Sequence, residues 1–544
     1  MSIRAVELCA AEGLDFAQAF RFHYLIAHED HQLAGFTPHV FGEWVLQTGA
    51  DLPVRELVDA RGTQFGYVFG IGAHHDGRDL AEALSSAFDA TRKGALAQYE
   101  AILCHLSGRF GCIATIEGRA YLHVDAAGLI GACYDTETGR VASSVNLCAD
   151  ATSATNEIYP EPGRRGEVAF GLTHTPLASV LRLNPNHRLE LESLRSKRFW
   201  PRPNDAFDLR FDQWGTALDA FLAASAGVTR ALIARNKVVL PLSGGLDSRM
   251  IFFAAGAEGR KGLAQIYTHV IAAQNRLDAA VARTLCIKAD LTHETHYGRR
   301  RMHQLRLPVS EEERARAARE AEVASGVVGA TSLEFDAGLY ALIDRDAVLL
   351  RGQQIPILRA LFVDHNDPAH NDDAYFQGKL RALLEYRAPN AEADAQMSKA
   401  ISAACRGIPA SARGKIADLI FYECVNAPEL AVSFTGNHTG FFTSPFNSRE
   451  MIRLMMSFPT PLRRENHLFW TAFMRQEPDL AGVATLKFIK RRDRESAEDV
   501  AWRSGFLSAE ALFYKMVYGE APGQVPVEAF DLDVLKAKDH PNLP

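Results

Sequence analysis

Six consecutive residues, Ser243-Gly244-Gly245-Leu246-Asp247-Ser248, combine small size, two hydroxyls and one carboxylate in a way that suits the binding of an anion. A tight turn between a strand and a helix needs residues that tolerate positive φ and let a ligand approach the backbone, and Gly244 and Gly245 supply both. The helix expected to start near Asp247 would add its unpaired N–H groups and the positive end of its dipole, while the Ser243 and Ser248 hydroxyls can donate to phosphate oxygens. Carboxylate and phosphate repel, so Asp247 is expected either to cap the helix or to hold Mg²⁺. The segment has neither the lysine of G-x-x-x-x-G-K-[ST] nor the spacing of G-x-G-x-x-G, which makes it a phosphate loop of a different kind.

The elements around the loop must place it at a sheet edge. Lys237–Leu242 is a short apolar run without alternation, as expected of a parallel strand covered on both faces. A helix over Arg249–Ala257, a second strand over Leu263–Ile271 and a second helix over Asp278–Ala289 complete a β-α-β-α order, so the expected fold class is α/β with a doubly wound parallel sheet. Thr268 and His269 end the second strand, where an adenine often rests at the carboxyl edge of such a sheet. Upstream, Phe65–Asn146 reads as short strands, with a turn at Gly118-Arg119 between CIATIE and AYLHV. Asp150–Pro203, rich in Pro, Asn and Arg, reads as a connecting segment, and a helical run over Asp212–Arg235 follows it. This puts a boundary near residue 205, between residues 1–205 and residues 206–544. Ala400–Pro478 reads as mainly helical, and Glu311–Glu322 as a solvated helix face.

Length and composition fit this picture. A chain of 544 residues suggests roughly two to four domains. With 47% hydrophobic and 23% charged residues and a net charge of -7, there is no general electrostatic footprint for nucleic acid. The eight cysteines lie apart, without zinc-site spacing, and are expected to be buried free thiols. Neither a secretory leader nor a run of about 18 apolar residues is visible, so the expectation is a cytoplasmic chain with no membrane partner.

The run P-L-S-G-G-L-D-S (residues 241–248) resembles the pyrophosphate loop of the ATP pyrophosphatase group, and its surroundings look like the asparagine synthetase branch, which includes β-lactam synthetases and lasso-peptide cyclases. Leu277-Asp278 partly echoes the branch's acidic pair after the second strand. Ser444-Pro445-Phe446-Asn447 with the helix after it resembles the P-F-L-D segment. Gly108-Arg109-Phe110, Asp125–Gly128 and Ala142–Ser144 resemble later strands of the glutaminase domain, of the Ntn-hydrolase type, and Leu183–His187 with Phe199-Trp200 its exit. The resemblance implies that ATP and Mg²⁺ are used to adenylate a substrate carboxylate with release of pyrophosphate, and that an amine then displaces AMP to form an amide. Leu242 and Ser243–Ser248 would contact the nucleotide, with Thr268, His269 and Gly352, and Asp247 would be the metal ligand.

Two departures shape the expectation. The glutaminase of this family needs a cysteine as its mature first residue, whereas Ser2 stands at position 2 and Cys9 is internal, so glutamine hydrolysis is expected to be lost. A second loop that carries an acidic pair in the family reads here Arg351-Gly352-Gln353-Gln354-Ile355-Pro356, leaving Arg351 and Arg359 as cations that could match phosphate oxygens. Glu423, next to Tyr422, resembles the acid and tyrosine pair of β-lactam synthetases. Arg463, Arg464, Lys487 and Lys490 are candidates for the cation that steadies the leaving phosphate, and Glu334 and Asp336 for groups on metal or substrate. The expected protein is thus an AMP-forming carbon–nitrogen ligase with Arg351, Glu423 and Lys487 as catalytic candidates. It would act on a small-molecule or peptide substrate carrying a carboxylate and an amine, in specialised metabolism, and a homodimer is compatible with this. The competing expectation is a nucleotide-binding pseudoenzyme that regulates or scaffolds a partner.

Overall fold

The hairpin expected around Gly118 forms, and it lies at the centre of a large antiparallel layer. The computed structural model describes residues 2–85, 89–159, 170–210, 212–270, 275–297, 310–326, 342–360, 373–437, 440–464, 466–483 and 485. Strands β1 (Tyr24–Ala27), β2 (Phe36–Phe41) and β3 (Trp44–Gly49) join β8 (Cys133–Asp135), β9 (Val141–Ala142) and β10 (Val180–Arg182) in a sheet ordered β10-β8-β9-β1-β3-β2. A second sheet, ordered β12-β11-β7-β6-β5-β4, contains β4 (Val54–Val58), β5 (Gln64–His74), β6 (Leu106–Ile116), β7 (Arg119–Val124), β11 (His187–Glu190) and β12 (Arg195–Arg198). All pairs in both sheets are antiparallel.

Period-two alternation decides which faces meet. Tyr24, Ile26, Leu46, Phe69, Ile113 and Leu122 point between the two sheets into one core, where the Tyr24 and Phe69 rings are 4.5 Å apart. The intervening residues Phe110, Cys112 and Ala114 of β6 point outward, onto the helices Leu80–Ser85 and Ala95–Leu103. Leu25 of β1 faces a separate outer cluster with the helix Arg4–Glu12. The outcome is a helix–sheet–sheet–helix stack. Cys9 is buried in the outer cluster and its thiol is pushed up to about 11 by burial, so it is a packing residue. All eight cysteines are buried and free.

The third sheet is parallel throughout: β13 (Val238–Pro241), β14 (Gln265–Val270), β15 (Glu294–Tyr297), β16 (Val348–Leu350) and β17 (Phe441–Thr443), ordered β15-β14-β13-β16-β17. Fully buried Val238, Val239 and Leu240 explain the apolar run without alternation. The chain leaves β15 at one edge and returns as β16 beside β13, so the order reverses between β13 and β16. The helices Asp247–Lys261 and Asn275–Lys288 follow β13 and β14, and Gly256 at φ 68° kinks the first near the end expected for it. Among the described residues the helix Trp214–Arg235 alone is long and apolar enough to cross a membrane; here Leu218, Phe221 and Val228 lie in the core.

Two readings need correction. The connecting segment contains β10, β11 and β12, which are only three or four residues long and take their pairing from the edges of existing sheets, so their own periodicity is too short to see. The stretch Ala400–Pro478 is mainly helical as expected, with the three-residue β17 set among its helices. The charge-rich helix Glu311–Ser325 exposes Glu311–Glu313 but buries Ala321, Val323 and Ala324 against the N-terminal helices.

Candidate functional site

The carboxyl ends of β13, β14 and β16 enclose a cleft of about 460 Å³, a size typical of small-molecule sites. It lies at the reversal of strand order, where open α/β sheets bind their ligands. Its walls are Leu242, Ser243, Asp247 and Ser248 from the first loop, Tyr267, Thr268 and His269 from β14, Asn275 and Asp278 from the following helix, and Arg351, Gly352, Gln353 and Pro356 from the segment after β16. Thus the two loops singled out by sequence, 108 or so residues apart, face each other across one space.

The loop's geometry differs from the expectation in one respect. Neither Gly244 nor Gly245 adopts positive φ. Their small size serves close approach instead: Gly244 is buried and its N–H donates to Asp278 Oδ1 at 3.0 Å. The neighbouring donors are also engaged within the chain, Ser243 N–H on Ser248 Oγ at 2.9 Å and Gly245 N–H on Ser243 Oγ at 3.2 Å, with the two hydroxyl oxygens 3.0 Å apart. Leu242 N–H donates to Tyr267 O at 2.8 Å, and Leu242 O accepts from Thr268 Oγ1 at 2.6 Å, which ties the loop to β14. Leu246 is the N-cap residue and buried; its backbone is helical and it makes no side-chain cap.

Asp247 does not cap the helix, because it is the first helical residue and its carboxylate turns to the Arg359 guanidinium. Burial pushes the Asp247 carboxyl up, and Arg359 opposes that shift. Gly352 lies against Asp247: a Cβ there would stand 3.1 Å from the Asp247 carbonyl oxygen. Arg351 is held by its N–H on Thr443 O at 2.9 Å, and its guanidinium lies 4.8 Å above the Phe442 ring. His269 is pushed down to about 4 by burial, then by Arg351 and His296, so a neutral imidazole lines the cleft, its Nε2 buried without a partner. Thr268 is further fixed by His293 Nε2 at 2.9 Å.

Other sequence candidates lie elsewhere. Glu423 is not brought to the cleft: on the π-helical turn Tyr422–Asn426 it faces the N-terminal sheets, bound by both Arg198 nitrogens at 2.6 Å, by Asn186 at 2.8 Å and by Asn184 at 3.1 Å. Tyr422 OH donates to Ala126 O. Arg463 is buried and pairs with Asp418 while donating to Ile357 O at 2.6 Å, which steadies the 3-10 helix Ile355–Arg359. The Arg464 side chain, Lys487, Lys490, Glu334 and Asp336 lie outside the described residues. Sequence reasoning missed Tyr267, Asn275 and the contact of Asp278 with the loop. The signal available for the last was an Asn and an Asp three residues apart at a helix start.

For magnesium, the donor set decides. Both carboxylates on the cleft are engaged by the chain, Asp247 by Arg359 and Asp278 by Gly244 N–H and Asn275 Nδ2. Among the described residues no three His, Cys, Asp or Glu side chains converge, but magnesium that accompanies a nucleotide takes only one or two carboxylates beside the phosphates, so Asp247 and Asp278 would hold it by giving up these contacts. Compared with known proteins, the chain matches no protein-family model and no curated protein, so its family is not shown by likeness.

Proposed function

We propose that the protein is an ATP-dependent ligase that joins a carboxylate to an amine. The observation that carries this reading is the single cleft in which the Ser243–Ser248 loop faces Arg351–Gln353 at the reversal of a parallel sheet. The reading includes a fold of the ATP pyrophosphatase type behind an Ntn-like layer without glutaminase function, supported by the 3-2-1-4-5 order of the parallel sheet and by the helix–sheet–sheet–helix stack.

In this reading a carboxylate oxygen of the substrate attacks the α-phosphorus of ATP, the Pα–O–Pβ bond breaks, and pyrophosphate leaves. The amine then attacks the acyl carbon, the acyl–O bond to AMP breaks, and the amine's proton goes to a base. The chain's part is positional and electrostatic: the N–H groups of residues 243–245 exchange their internal acceptors for phosphate oxygens, and Arg351 faces the same space. Neutral His269, at the end of β14, would lie beside the base of the nucleotide. The test is pyrophosphate and AMP release with amino-acid and peptide substrates. Release of both supports the ligase. Nucleotide binding with neither product would replace it by the scaffold reading, which the internal occupation of the loop's donors favours.

A further inference from the structure

The position beside the Asp247 carboxylate, where a divalent ion would otherwise sit, is already filled by the Arg359 guanidinium. Arg359 ends the 3-10 helix Ile355–Arg359, whose Ile355 and Leu358 are fully buried and whose Pro356 lines the cleft. Arg463 grips that helix through Ile357 O, and the Arg359 guanidinium lies 5.5 Å above the Phe469 ring. The helix is thus anchored, and the Arg359 side chain itself is held by the Phe469 ring and by Asp247. It gives one Nη2 hydrogen to Asp247, while its Nε is buried and has no partner. Arg359 does not itself line the cleft, but it pairs with Asp247, which does, and its side chain is 32% exposed, so a small turn of the guanidinium would bring it to phosphate oxygens.

Resting on the ATP reading above, we propose that Arg359, and not a divalent ion bound by the protein, is the cation that offsets Asp247 and the phosphates of the nucleotide in this cleft. Any magnesium then arrives on the nucleotide and is not anchored by Asp247. Arg359 is a binding residue in this scheme, and the segment Arg351–Pro356, which lacks carboxylates, has no metal to ligate.

The experiment is calorimetric titration of the full chain with α,β-methylene-ATP and with inorganic tripolyphosphate, each in excess Mg²⁺ and in EDTA, alongside Mn²⁺ titration of the protein alone. Wild type is expected to bind the nucleotide in EDTA. Arg359→Met should lose about tenfold to a hundredfold there, the span of one hydrogen bond to a charged group. Arg359→Lys keeps the charge opposite Asp247 and guards against a folding defect; it should lose less. Binding that needs Mg²⁺, with Mn²⁺ uptake by wild type that Asp247→Asn abolishes, overturns the proposal and leaves the ATP reading standing. Tripolyphosphate binding in EDTA that depends on Arg359, without nucleotide binding, overturns the ATP reading and keeps Arg359 as the anion's cation. Failure of both ligands to bind under either condition overturns both.

Discussion

Glu423 shows how environment decides a residue's work. Burial alone would push its carboxyl up, but the Arg198 guanidinium and then the Asn186 amide outweigh that and hold it below the usual carboxylate range. Four donors leave it no lone pair for an amine's proton, so its place is structural: it clamps the π-helical turn to β12 through Arg198. Removing one partner from a buried ion pair costs about 3–5 kcal/mol because the other is left charged without compensation. Arg198→Met is therefore expected to lower the unfolding free energy measured by urea titration by that much. Glu423→Gln should also lose stability, and its loss should shrink at low pH. A depressed carboxyl stabilises the fold above its unfolded value and stops doing so as pH falls through the folded one. A Glu423→Gln variant with full stability and no turnover would restore the residue as a catalytic base.

At the scale of elements, two loops of the site approach each other so closely that a side chain at Gly352 would be crowded. An alanine at Gly352 would bring its Cβ to 3.1 Å from Asp247 O and 3.2 Å from Asp247 Cβ, so the loop after β16 must retreat from the helix Asp247–Lys261. Overpacking of this kind costs about 1–3 kcal/mol. Gly352→Ala should fold, with a modest fall in Tm, and bind nucleotide about tenfold more weakly if that cost falls on the bound state. Unchanged affinity would show that the approach is not part of the site. The parallel core was legible in sequence because strands buried on both faces are continuous apolar runs, and the hairpin at Gly118 because alternation and turn chemistry agree there. Three-residue strands such as β17 carry no period. The pairings that define the site were harder to see for a different reason: Asp278 meets Gly244 across 34 positions, with only an Asn and an Asp at a helix start to hint at it, and Arg359 meets Asp247 across 112, which no local pattern encodes.

For the whole molecule, the strongest electrostatic signature is a set of histidines that the fold keeps neutral. Burial pushes His75 down to about 3 and His174, His187, His269 and His293 down to about 4. In the unfolded chain each takes up a proton near pH 6.5, whereas the native state does not until far lower. The unfolded state then binds more protons, so stability is intact above pH 6.5 and falls as pH drops toward 4, by up to about 1.4 kcal/mol per unit for each histidine. Depressed carboxylates such as Glu423 add their loss only below about pH 4.5, so they do not confuse the upper part of the window. Three of the histidines sit among the antiparallel sheets and two beside β14, and one continuous core joins those regions. Acidification should therefore weaken both halves together. Set against a typical stability of about 5–15 kcal/mol, five such groups are expected to unfold the protein before pH 4.5 is reached. Thermal melts from pH 7.5 to 4.5 at constant ionic strength check this. The expected result is a single transition whose midpoint falls steadily below pH 6.5, and replacing His174, the least exposed of the five, by Gln should flatten part of that slope. A midpoint that stays level down to pH 5 would mean that these imidazoles find solvent or partners on protonation, and that burial does not hold them neutral.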